Sequence, residues 1–191
     1  MIITQRFFFG EFVVLITILT LIVDTIATLL GGVLLLRFWM QAVRVRPPSS
    51  VAQFTFQLSD WLVRPLRRVV PGVGGYDWAS LIGAFLIVLL ATCFWFIAGL
   101  PVEAVLLKAL QRFLQWILYG FMALLIIEAI FSWVNPHAPL APFVRALNEP
   151  LLRPIRKVVP LVGSLDLSLL VALILLQIAQ MLVGMIFVMG R

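Results

Sequence analysis

The chain holds one cysteine, Cys93, and one histidine, His137. A single thiol excludes an intramolecular disulfide. One imidazole, flanked by prolines in a loop, does not make a zinc site. There is no CxxC, HExxH or P-loop pattern and no nucleophile paired with a base, so neither catalysis nor a cofactor is expected. Charge is also scarce: 12% of the 191 residues are charged, against about a quarter in soluble domains. The net charge of +6 could suggest nucleic acid. No basic soluble module exists to carry such an interface, so nucleic acid is not an expected partner.

What fills the chain is apolar. Hydrophobic residues make up 63% of it and the mean hydropathy is +1.16. Crossing the hydrocarbon core takes about 20 mainly apolar residues. Four stretches qualify: Phe12–Leu36, Ala79–Leu100, Phe113–Val134 and Leu167–Met189. The first runs on from the N-terminus at full spanning length, which is expected to be retained rather than cleaved as a signal peptide.

The basic residues are grouped. "RPLRRVVPGVGG" at 64–75 returns as "RPIRKVVPLVGS" at 153–164. Sliding 52–82 onto 141–171 gives 14 identities in 31 positions, among them Phe54/Phe143, Leu58/Leu147, Pro65/Pro154 and Asp77/Asp166. Asp60/Glu149 and Arg68/Lys157 keep their charge. Two spans per copy return the chain to its starting side, so the copies are expected to be parallel. The expected fold is therefore all-α and transmembrane, with four helices in two parallel two-helix repeats.

The expected limits are an N-terminal segment 1–15 and repeat 1 over 16–98, with spans 16–40 and 79–99 around a loop 41–78. An external connector 99–112 leads to repeat 2 over 113–191, with spans 113–134 and 167–189 around a loop 135–166. Arg44, Arg46, Arg64, Arg67, Arg68, Arg145, Arg153, Arg156 and Lys157 lie in the two loops. Arg6, Lys108, Arg112 and Arg191 lie on the other side. The positive-inside rule then places both loops in the cytoplasm and both termini in the periplasm.

In the first loop, Ser50 and Gln53 fit a capping box. Phe54, Leu58, Trp61 and Leu62 recur at helical spacing. In the second, Pro142 suits a first helical turn, and Phe143, Leu147 and Leu151 share a face. Both segments read as short amphipathic helices lying along the interface, apolar side to lipid. Pro65 and Pro154 are expected to end or kink them. Arg64, Arg67, Arg68, Arg153, Arg156 and Lys157 then sit at headgroup level, where each charge contributes about 1 kcal/mol on an anionic leaflet. Asp77 and Asp166 precede spans and are expected to cap helix starts.

Three ionisable residues fall within spans: Asp24, Arg37 and Glu128. Such residues are functional candidates by default. Aligning "LLLRFWMQ" with "LIIEAIFS" places Arg37 and Glu128 at equivalent positions with opposite sign. A salt bridge between them is one expectation, and Arg37 reaching the headgroups alone is the other. Asp24 is expected in the outer half of its span.

"LLLRFWMQ", "RPLRRVVPGVGGYDWASLI" and "EPLLRPIRKVVPLVGSLDLSLLVALILLQ" resemble the two repeats of the YggT family of bacterial inner-membrane proteins. The longer N-terminus and Glu128 differ from the usual pattern. The resemblance implies a multi-pass plasma-membrane protein with no catalytic residues to carry over. It also implies links to osmotic-stress tolerance with potassium uptake, to cell division, and to cytochrome maturation in plastids. The leading expectation is a non-enzymatic scaffold or assembly factor. Its expected partners are anionic phospholipids and unidentified membrane or cytoplasmic proteins, with a homo-oligomer also open. The alternative is a small transporter or channel component contributing to ion uptake.

Overall fold

A computed structural model describes residues 2–97, 99–159 and 166–189, with side chains over 14–93, 99–159 and 166–187. Six helices account for nearly all of them: α1 (Ile2–Ala42), α2 (Ser49–Val69), α3 (Trp78–Ile97), α4 (Val102–Val134), α5 (Ala141–Arg156) and α6 (Leu167–Met189). An isolated bridge between Val73 and Tyr76 is the sole extended pairing among the described residues.

Helix lengths follow the breakers. No proline interrupts 2–42, so residues 2–15 of the expected N-terminal segment are helical and run on into the rest of α1. Pro101 caps α4, Glu103 sits in its first turn where the helix dipole favours an acid, and the next proline is Pro136. The expected connector 99–112 is therefore helical from Val102 onward. At 41 and 33 residues these helices run about 60 Å and 50 Å, well beyond a bilayer core of about 30 Å. Three stretches, Val14–Ala42, Val102–Val134 and Leu167–Phe187, are long and apolar enough to cross a membrane. Helix α3 adds a shorter apolar stretch, Trp78–Cys93.

The two amphipathic segments form α2 and α5. Helix α2 starts two residues earlier than the capping box requires, because Pro48 occupies the N-cap and its carbonyl accepts the N–H of Ala52. Of the expected end or kink at Pro65 and Pro154, the end does not occur: α2 continues to Val69, and α5 passes through Pro150 and Pro154 to Arg156. Both Pro65 and Trp61, whose carbonyl the ring releases, are exposed, so the missing hydrogen bond is not buried.

The two amphipathic helices bury different faces. In α2 the small polar side of Thr55 and Ser59, with Val63, turns inward, while Phe54, Leu58 and Trp61 are left exposed. In α5 the apolar stripe itself is covered: Phe143, Val144 and Leu147 pack on Met40 of α1. That corrects the expectation of a lipid-facing stripe for α5. The C-terminal end of α1 reaches it first, and the Trp39 indole N–H donates to the Leu147 carbonyl at 2.9 Å.

Helix α1 packs on α3, α4 on α6, and α3 on α4, with α2 lying across α1 and α3 and α5 across α4 and α6. Ala84, Val88 and Ala91 give α3 a small-residue face in the core with Leu34, Val63 and Trp116. At the α1–α4 crossing a Cβ on Gly31 would clash with the Trp116 ring. Outward faces are apolar and open, as at Leu29, Leu90 and Ile186, the surface that lipid covers in a membrane protein.

Candidate functional site

At the end where α1 gives way to α2, an ion-pair lattice joins three helices. Arg37 on α1 donates to the Ser59 hydroxyl and to Asp60 Oδ1 at 2.7 Å, both on α2. Its Nε stands 3.4 Å from Asp77 Oδ2 at the start of α3, and its guanidinium lies 4.8 Å from the centroid of the Phe56 ring. Arg67, in the last turn of α2, grips the same Asp77 through Nε at 3.2 Å and Nη2 at 2.6 Å. Ser80 donates to Asp77 Oδ2 as well, at 2.6 Å.

The turn between α2 and α3 makes this reach possible. Gly74 and Gly75 hold φ of +70° and +82°, which L side chains rarely adopt, and the chain reverses tightly enough to bring Asp77 back beside Arg67. Gln41 fixes the turn by donating to the Gly75 carbonyl at 3.2 Å.

Charge chemistry follows from the contacts. Asp60 is held below the usual aspartate range, first by the hydrogen bond from Arg37 and then by the charges of Arg37 and Arg64 against modest burial. Burial pushes Asp77 upward, but hydrogen bonds from Arg67 and Ser80, with the charges of Arg67 and Arg37, outweigh it and hold it low. The hydrogen bond to Asp77 in turn raises Arg67. Arg64 pairs with Asp60 at 2.8 Å from a side chain that is 78% exposed, so its contribution is screened and small.

A second lattice stands where α4, α5 and α6 meet. Arg156 donates through Nε and Nη2 to Asp166 Oδ2, at 3.1 and 2.9 Å, and through Nη1 to Glu149 at 2.9 Å. It also lies 3.5 Å from Glu128 Oε1. Asn148 donates to Glu128 Oε2 at 2.8 Å and to the Leu124 carbonyl at 2.9 Å. Here three carboxylates surround one guanidinium, whereas the first lattice balances Arg37 and Arg67 against Asp60 and Asp77. Burial pushes Asp166 upward too, but the hydrogen bonds of Ser168 and Arg156 hold it below its ordinary value.

The two lattices correct the expected Arg37–Glu128 bridge. Each residue is satisfied within its own three helices: Arg37 by Asp60 and Asp77, Glu128 by Asn148 and Arg156. Nor does Arg37 extend alone to the headgroups, because its side chain is only 6% exposed. Asp77 spends its carboxylate on arginines and Ser80 rather than on helix N–H groups. Asp166 does accept the N–H of Ser168 at 3.0 Å. Asp24 pairs with Arg112 across α1 and α4 at 2.9 Å, and Arg112 lies over the Trp116 ring. Arg68, Arg153 and Lys157 are exposed and have no acidic partner among the described residues. The repeated phrase over 160–165 lies outside the described residues.

Ser59 and Asn148, which the sequence did not single out, complete these lattices, and Asp60 and Glu149, noted only for keeping their charge, turn out to be ion-pair members. The signal available was positional. Asp60 and Glu149 keep their sign at the repeat offset and lie seven residues before Arg67 and Arg156, on the same helical face.

Comparison with known proteins matches this doubled arrangement. The CCB3/YggT family model matches residues 16–98 and again 107–187. The chain belongs to the CCB3/YggT family. The first match falls on α1 to α3 and the second on α4 to α6. Among similar proteins, YggT of Escherichia coli K12 is 33% identical over 174 residues, covering 85% of this chain and 87% of its own. A Pseudomonas aeruginosa protein is 36% identical over 169 residues, covering 85% and 86%. A Vibrio alginolyticus protein from the proC 3′ region is 32% identical over 183 residues, covering 87% and 93%. No solved structure matches the chain.

Proposed function

We propose that this protein is a non-enzymatic inner-membrane scaffold or assembly factor. In this reading α1, α3, α4 and α6 all cross the bilayer as two like-oriented halves. The lattice end faces the cytoplasm, and α2 and α5 lie at its interface. The observation that carries the proposal is the division of labour among the basic residues. Arg67 and Arg156 are consumed in pinning α2 and α5 to the following helices. Arg68, Arg153 and Lys157 remain outward, and α2 leaves Phe54, Leu58 and Trp61 uncovered. A rigid platform with basic and apolar groups at one level suits anionic lipid and a membrane-associated partner.

The test combines two measurements on full-length protein. Reversing Arg68, Arg153 and Lys157 to Glu should lower the anionic lipid retained in native mass spectra and the yield of in-cell crosslinks. Unchanged lipid and crosslinks would reduce these charges to topology signals. Cation flux in proteoliposomes above empty vesicles, lost in Asp24→Asn, would replace the scaffold with the transporter alternative.

A further inference from the structure

A cavity of about 610 Å³ opens beside the first lattice, and its wall carries five arginines: Arg37, Arg44, Arg46, Arg64 and Arg67. Only two carboxylates, Asp60 and Asp77, oppose them. Arg44 and Arg46 are exposed and have no acidic partner among the described residues. The cavity therefore holds uncompensated positive charge in a concave site, where the field is focused.

The backbone makes the same point independently. Helix α1 ends in a Schellman arrangement, with Val45 N–H donating to the Met40 carbonyl and Arg44 N–H to the Gln41 carbonyl, each at 3.0 Å. That places Arg44 at φ +59°, the left-handed position that glycine usually fills. Arg44 is the sole non-glycine residue with positive φ among the described residues. A guanidinium stands where the backbone favours no side chain at all, and it faces the cavity.

The other half lacks the feature. The connection between α4 and α5, residues 135–140, reads NPHAPL, where that between α1 and α2, residues 43–48, reads VRVRPP. Arginines placed only to set topology would serve equally in either connection.

We propose that this cavity binds a phosphoryl group, with Arg44 and Arg46 as the recruiting pair and the exposed Arg64 completing the cradle, while Arg67 stays on Asp77 and adds its charge to the wall. Guanidinium groups match phosphate oxygens in a two-point fork, and Phe56, Met40 and Pro47 supply an apolar wall for whatever bears the phosphate. The cavity is larger than one phosphate ion needs, which suits a phosphorylated headgroup or a small soluble phosphate ester. The phosphate of a glycerophospholipid and a soluble phosphate compound share this chemistry. The lipid source deepens the scaffold reading and rests on it; the soluble source does not.

The test uses full-length protein in a neutral detergent and follows thermal unfolding by tryptophan fluorescence. The probes are inorganic pyrophosphate and dihexanoyl phosphatidylglycerol. Dihexanoyl phosphatidylcholine and chloride at matched ionic strength are the controls. At least one probe should raise the midpoint where the controls do not. Arg44→Gly with Arg46→Gln should raise the half-saturating concentration by about tenfold or more, the loss expected from two charge-assisted contacts. Because Arg44→Gly relieves the left-handed backbone, the variant folds at least as well without ligand, and lost response is not lost structure. Arg153→Gln with Lys157→Gln should leave the response intact.

A shift with phosphatidylglycerol alone assigns the lipid source, and a shift with pyrophosphate assigns the soluble one. No shift with either probe, or equal curves for wild type and the Arg44/Arg46 variant, overturns the cavity. If the Arg153/Lys157 variant alone loses the response, the cavity falls while the outward-charge scaffold stands. If the cavity responds but charge reversal leaves lipid retention unchanged, the scaffold falls and the cavity stands.

Discussion

Arg37 Nε lies 3.4 Å from Asp77 Oδ2, and the pair joins the interior of α1 to the start of α3 with side chains only 6% and 2% exposed. Charges this far from solvent are costly unless each is matched. Arg37 is matched by Asp60 as well, and Asp77 by Arg67, so the four groups form one closed unit. Removing Arg37 takes from Asp60 and Asp77 the one buried partner they share.

The first prediction concerns that closure. Arg37→Met should destabilise the protein by about 3 kcal/mol, because Asp60 and Asp77 lose a shared buried partner. In a cycle with Asp60→Asn, the double variant should cost less than the two single changes together, with a coupling of about 0.5–3 kcal/mol. Denaturation in mixed micelles gives the four free energies. Additive costs would show that Arg37 and Asp60 do not act as one unit.

Arg37 and Glu128 supply the contrasting cycle. They occupy equivalent places in the two halves and share no partner. Arg37→Ala and Glu128→Ala should therefore combine additively, to within about 0.5 kcal/mol. A larger coupling would restore the direct bridge that opposite signs at equivalent positions suggest.

That contrast shows what the sequence made legible. Apolar runs, the doubled basic phrase and the grouping of arginines were all readable, because each is a property of neighbouring residues. The partner of Arg37 was not. It depends on α2 folding back across α1 and on a turn at Gly74–Gly75 that returns Asp77 to Arg67. Periodicity also located the α5 stripe of Phe143 and Leu147 but could not tell lipid from protein as its cover, since both are apolar. The answer lay with Met40, about a hundred residues earlier in the chain.

The pH dependence has a definite sign. Asp60, Asp77 and Asp166 are all held below the ordinary aspartate value of 3.8 in the folded protein. A depressed carboxyl stabilises the fold above its unfolded value, and that contribution is lost as pH falls through the folded value. Thermal midpoints should thus stay flat as pH falls from 7 towards 5 and decline steepening below 3.8. Asp77→Asn should start lower at pH 7 and lose less on acidification. Parallel curves for wild type and variant would exclude Asp77 as a source of the acid sensitivity.

The last prediction tests how α1 meets α4. A Cβ on Gly31 would clash with the Trp116 ring, and Trp116 is itself buried against Ala27 and Leu34 in the core and covered by Arg112. The ring cannot withdraw without displacing these neighbours. Gly31→Ala should therefore cost about 1–3 kcal/mol by overpacking, even though alanine is the better helix former by about 1 kcal/mol. Gly32, with open space where its Cβ would go, is the internal control: Gly32→Ala should be neutral or stabilising. Shrinking the ring discriminates the cause. In a Trp116→Leu background the penalty of Gly31→Ala should vanish or reverse, because the clash is with the ring and not with the backbone. A penalty that persists there would mean that Gly31 is needed for backbone freedom, and the close ring contact would not be what holds α1 and α4 in register.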